Sequence, residues 1–189
     1  QVSIDLSSGV DVTTYGDGAF GVLAQSIGGG GGLAGDTSQA LRVGRVNVAA
    51  SGTATSAANA VSITTGATIA TSGANAHGLF LQSIGGAGGA LGRASALVAG
   101  NARTAPGQLG SGGAITVDQT GGSISTSGAG AIGIFAQSSG NAITQNAIAI
   151  AVGGTVSGGT GRRAAGIVVS GGVSPGGTTL EPSAGNTIT

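Results

Sequence analysis

Three groups of residues in this chain have types and spacings that could do chemistry. The first is Gly16-x-Gly18-x-x-Gly21, the G-x-G-x-x-G spacing of a turn that lays backbone against a dinucleotide pyrophosphate. The second is the set of carboxylates, Asp5, Asp11, Asp17, Asp36, Asp118 and Glu181, from which a metal site or an acid/base pair could be drawn. The third is cationic or titratable: the single histidine, His77, and the adjacent Arg162 and Arg163.

None of the three survives its context. A dinucleotide turn must open a helix, but Val22-Leu23-Ala24-Gln25-Ser26-Ile27 leads into five glycines, Gly28 to Gly32, which cannot continue one. The phrase also returns, as GAGAIG at 128–133 and as GANAHG at 73–78, where Asn75 replaces the middle glycine. A recurring G-x-G-x-x-G reads as a repeated turn before a strand. Asp5, Asp11 and Asp17 align with Ser62, Thr68 and Ala74 in the next copy, so no metal ladder is expected. GGLAGDTSQ at 31–39 misplaces the fourth glycine of the calcium-binding nonapeptide. Sugar hydrolysis needs paired carboxylates at the bond, and no pair recurs. His77 aligns with Phe20 and Ile132, so its position asks for bulk. Arg162 and Arg163 fall in an extra turn and read as solvated. Thr13-Thr14 and Thr64-Thr65 do not make the flat T-x-T array of an ice-binding face. No catalytic, cofactor-binding or metal-binding residue is expected, and the chain is not expected to be an enzyme.

The elements that position these residues are strands. Of 189 residues 42 are glycine, 2% are aromatic and 6% are charged, yet 40% are hydrophobic. That is too apolar for ordinary disorder and too poor in large side chains for a conventional core. It suits a narrow core of Ala, Val and Ile. Net charge is zero and the arginines are scattered, so no stripe follows a nucleic-acid backbone. No apolar run is long enough to insert in a membrane as a helix. There is no cysteine, and both ends read as though cut from a longer chain.

Aligning the Gln-Ser pairs at Gln25, Gln82 and Gln137 exposes an internal repeat. Ile4, Leu6, Gly9 and Val12 align with Val61, Ile63, Gly66 and Ile69. The third copy continues with Ile115, Val117 and Ile124, and a shorter fourth with Ile148, Ile150, Val156 and Ile167 to Ser170. The short, alternating, β-branched runs separated by Gly, Ser, Thr and Asn predict strands and turns. Only the residues around Leu97 suggest a helical turn. The expected fold is all-β, a parallel β-helix (β-solenoid) with Gly-rich turns and loops. It forms a single segment over 1–189, in units of about 1–57, 58–112, 113–145 and 146–189. At ~20–25 residues per coil, each long unit would hold two or three coils and the rod would be about 40 Å long.

On the longest strand of each unit, one face carries Phe20, Val22, Ala24; His77, Leu79, Leu81; and Ile132, Ile134, Ala136, and is assigned to the lumen. The other carries Gln25, Gln82 and Gln137, together with Leu23, Phe80, Phe135 and Val168, a candidate self-association stripe. Strands apolar on both faces are usually covered on both, so the stripe calls for the Gly-rich loops or another molecule. An outward Gln82 would be peripheral, its loss worth ~1 kcal/mol.

GDGAFGVLAQSIGGGGG (16–32) and GANAHGLFLQSIGGAGG (73–89) resemble the repeats in passenger regions of large proteobacterial autotransporters, type V secreted proteins. The third copy departs from the phrase with QSSGN at 137–141, and the fourth, VVSGG, lacks the glutamine. The resemblance implies an extracellular or cell-surface location and a structural or adhesive role. It offers no catalytic residues. Expected partners are further copies of the chain, stacked end to end or laterally into fibres, or a host or neighbouring-cell surface. The competing expectation is a carbohydrate-active β-helix enzyme, lyase or hydrolase, or a glycan-binding module.

Overall fold

The computed structural model describes residues 1–28, 31–34, 56–85, 88–91, 99–100, 110–139, 147–173, 180–181 and 185–189. Asp36, Leu97 and the 141–144 strand opening lie outside them. Every regular element among the described residues is a strand. In chain order these begin with β1 (Val2–Leu6), β2 (Asp11–Thr14), β3 (Val22–Ile27), β4 (Gly31–Ala34), β5 (Val61–Thr65) and β6 (Thr68–Thr71). Then come β7 (Leu79–Ile84), β8 (Gly88–Leu91), β9 (Ala99–Gly100), β10 (Ile115–Gln119), β11 (Ser123–Thr126) and β12 (Ile132–Ser139). The last are β13 (Ile148–Val152), β14 (Thr155–Ser157), β15 (Ala165–Ser170), β16 (Gly172–Val173), β17 (Leu180–Glu181) and β18 (Thr187–Ile188).

The protein is all-β with parallel main sheets. The first sheet runs β1-β5-β10-β13-β18, the second β2-β6-β11-β14, and the third β3-β7-β12-β15. The chain therefore visits the three sheets in turn, and each visit lays a tier of three strands on the tier before. Each repeat unit supplies one tier, not two or three coils. Among the described residues, four tiers and the first strand of a fifth, spaced ~4.8 Å apart, make a stack only ~20 Å tall. What lengthens the first two units is chain between tiers, part of which pairs as β4 with β8 and β8 with β9.

Register explains why the sequence repeats. Val61 pairs with Val2 and Ile115, and Ile115 with Ile148. Ile69 pairs with Val12 and Ile124, and Ile124 with Val156. Inward side chains of the three sheets meet in one apolar cluster that includes Ile63, Ile69, Leu79, Leu81, Val117, Ile124 and Ile134. Stacking alike on alike keeps the cross-section of this core constant. β1 is offset by two residues from the alignment read in the sequence: Ile4 pairs with Ile63, and Asp5 with Thr64. A slip of two keeps every side chain on its own face, so the alternating pattern does not distinguish the registers. The first tier absorbs the difference in a longer turn, 7–10 against 66–67.

The three glycines of the recurring phrase have separate structural reasons. Gly18, Asn75, Gly130 and Arg163 stand at equivalent positions and all have positive φ, at 67°, 53°, 70° and 71°. Asparagine tolerates this left-handed conformation best among the larger residues, which explains the substitution in the second copy. At the first position, a Cβ on Gly73 would strike the Gly16 carbonyl below it, and a Cβ on Gly128 the Gly73 carbonyl. At the third, a Cβ on Gly78 would lie 2.5 Å from Ile124 Cγ2 and 2.6 Å from Gly133 O. The chain turns the corner into the third sheet here, close against the second. These demands account for the motif without a nucleotide.

Candidate functional site

The Gln-Ser phrase and the residues before it gather on the third sheet, where β7 and β12 are buried on both faces along their length. Leu23, Phe80, Phe135 and Val168 pair in register as one column on the outward face. The column is as expected, but its exposure is not. Phe80 and Phe135 are 1% and 0% exposed, while Leu23 and Val168 at the outer tiers are partly buried. The middle of the stripe is thus enclosed within the chain.

Phe20, His77 and Ile132 join this outer cluster rather than the lumen. Ile132 packs with Phe80 and Phe135, and Phe20 packs against them. The lumen assignment holds for Val22, Ala24, Leu79, Leu81, Ile134 and Ala136. It fails one step earlier because Gly21, Gly78 and Gly133 sit at the corner. Strict alternation applies within a straight strand and does not carry across a bend. Phe20 and Phe80 stack with centroids 4.7 Å apart, and Phe80 and Phe135 at 4.9 Å. His77 lies among them, 5.4 Å from Phe20 and 5.7 Å from Phe80, with rings within 10° of parallel.

His77 does more than fill space. Its Nδ1 accepts the backbone N–H of Ile132, in the tier above, at 2.9 Å. Its Nε2 is buried and reaches no hydrogen-bond partner among the described residues. Burial lowers its pKa from the ordinary 6.5 to about 4, because the surroundings disfavour the cation.

Beside the rings runs an amide ladder. Gln25 Nε2 donates to Gln82 Oε1 at 2.6 Å, and Gln82 Nε2 donates to Gln137 Oε1 at 2.9 Å. Gln82 and Gln137 are fully buried. Gln82 is thus a central rung and not the peripheral residue expected. The fourth tier places Ser170 opposite Gln137. The signal for this ladder was present as one polar residue recurring at the same place in an otherwise small, apolar phrase. Amide ladders are a known stabiliser of in-register stacking.

The serine after each glutamine closes its tier. Ser83 Oγ donates to Asn59 O at 2.8 Å and accepts Gly113 N–H at 2.7 Å, linking the starts of the second and third tiers. Ser138 Oγ donates to Gly113 O at 2.8 Å, and Ser26 Oγ accepts Asn59 N–H at 2.8 Å. The end of the third face is thereby tied to the start of the first, at the place where the inter-tier chain leaves.

The outer face of the first sheet carries a groove of about 280 Å³ lined by residues including Thr116, Asp118, Ala149 and Thr187. Asp118 is the one carboxylate side chain among its lining residues. Asp5 occupies the same column two strands away, across Thr64, and does not line the groove. Among the described residues no three His, Asp or Glu side chains come together as a metal site would require. No protein-family model, no curated protein and no solved structure matches the chain.

Proposed function

We propose that the chain is a segment of a three-sided parallel β-solenoid and acts as a structural or adhesive stalk in an autotransporter-like passenger at the bacterial cell surface. The observation that carries this reading is the in-register stacking of like residues through successive tiers. Such a stack extends by addition, since a further tier needs only the same strand pattern. Several of the buried polar side chains join one tier to the next, as in the glutamine ladder and the serine ties.

The same edges supply a route to homotypic assembly. Among the described residues, β1, β2 and β3 each have a sheet neighbour on one side only. Open strand edges pair with whatever compatible strands they meet, and zero net charge provides no repulsion to prevent it. A preceding tier, or the last tier of a second copy, presents such strands. Because Phe80 and Phe135 are buried within the chain, end-on stacking is the favoured route over lateral packing through the stripe. Purified protein at micromolar concentration should sediment as species larger than a monomer, and electron microscopy should show filaments one molecule wide. A strictly monomeric rod across that range would contradict the assembly, and filaments of laterally paired rods would contradict the end-on route.

A further inference from the structure

We propose that His77 is a proton-operated latch on the outer face of the third sheet: while neutral it ties the second tier to the third, and on protonation it releases the aromatic face it helps to close. The geometry assigns the two states. In the neutral ring one nitrogen donates and the other accepts. Nδ1 accepts the Ile132 N–H, so the ring proton sits on Nε2. A second proton can go only to Nδ1. That turns the acceptor into a donor facing a donor, so the inter-tier hydrogen bond must break. It also places a cation in a buried cluster.

The neighbours offer little to hold that cation. Among the described residues, the groups packed around the ring are Phe20 ahead of β3, Phe80 on β7, and Ile132 and Phe135 on β12. None of them titrates or carries charge. The parallel faces of Phe20 and Phe80 attract a cation, but they supply no acceptor for either N–H. The described charged groups of the adjoining turns are on exposed residues. Asp17 accepts the Ala74 N–H, and Arg162 and Arg163 belong to the fourth tier's turn. The protonated ring is relieved by swinging out to solvent. That withdraws the packing on Phe80 and leaves Ile132 N–H without its acceptor.

The device occurs at one level only, because the equivalent residues Phe20, Ile132 and Ala165 cannot titrate. Acid should therefore loosen the junction of the second and third tiers on one face and leave the first sheet closed. The sign follows from the lowered value. Above pH 6.5 neither the closed nor the opened state is protonated, and closure is at full strength. As pH falls from 6.5 towards about 4 only the opened state takes up the proton, so closure weakens; below about 4 the effect levels off. At pH 4 the opened population should be larger than at pH 7 by on the order of 100-fold.

The test is an NMR titration of the wild-type His77 ring. It is combined with amide hydrogen exchange at Ile132, and at Val117 in the first sheet as reference, corrected for intrinsic rates. The expected result is a ring that titrates near pH 4, with exchange at Ile132 rising about 100-fold between pH 7 and 4 while Val117 rises by no more than a few-fold. His77→Phe, which copies the first tier, should lose the rise at Ile132. A ring titrating near 6.5 overturns the latch. So does an equal rise in His77→Phe, which would assign the acid response to carboxylates. If that variant does not fold, the wild-type ring titration and the contrast between Ile132 and Val117 decide the question by themselves.

Discussion

Replacing Gly128 by alanine is expected to destabilise the protein by about 3 kcal/mol or more, although a single methyl is added. The Cβ would be driven into the Gly73 carbonyl of the tier below, and Gly73 in turn sits against Gly16. Backbone cannot rotate away as the end of a side chain can. The only relief is to separate tiers, which strains their ladder of hydrogen bonds. Gly121→Ala is the control, because a Cβ there meets nothing within 4 Å and its φ is not positive. That variant should stay within about 0.5 kcal/mol of the parent. Denaturant unfolding of both variants measures the difference. Equal stabilities would mean that the first glycine of the repeated phrase is not there for close stacking.

Gln82→Ala is expected to cost about 3 kcal/mol, several times what an exposed amide is worth. It removes both bonds of a central rung: Gln25 Nε2 loses its acceptor and Gln137 Oε1 loses its donor. It also leaves a cavity where a fully buried side chain stood. Gln25→Ala, at the partly exposed foot of the ladder, should cost about 1 kcal/mol, the worth of one hydrogen bond. The ordering is the diagnostic result. Equal costs in unfolding experiments would show that the rungs act independently and are not held by position in the stack.

What the sequence makes legible is whatever the stack repeats. Leu23, Phe80, Phe135 and Val168 align because each occupies the same place in its tier, so the column can be read before it is seen. The turn glycines are legible for the same reason, and Asn75 marks the left-handed position by being its one asparagine. Tier count is harder. A long unit is equally consistent with several short coils or with one coil and a long excursion, because spacing counts the excursion too. The fourth copy held the answer: the interval from Phe135 to Val168 has room for one tier only.

Burial is not legible in the sequence, for two physical reasons. Alternation shows which residues share a face but not whether that face meets water. Phe80 and Gln82 therefore read as outward and proved enclosed. The bend at Gly78 reverses the side to which the preceding residue points, which placed His77 among the outer rings. The hydrogen bond from Ile132 to His77 had no signal at all in the alignment, since Phe and Ile stand at the equivalent positions.

Each repeat unit makes one tier, with equivalent residues in direct contact from unit to unit. Through-space NMR contacts between labelled methyl groups test it most directly. Cross-peaks are expected for Ile4 with Ile63 and for Ile63 with Val117, because these pairs are strand neighbours in register. If each long unit held two or three coils, the same pairs would stand ~10–14 Å apart. Absence of both cross-peaks in the folded protein, with contacts instead between residues of the same unit, would contradict one tier per unit.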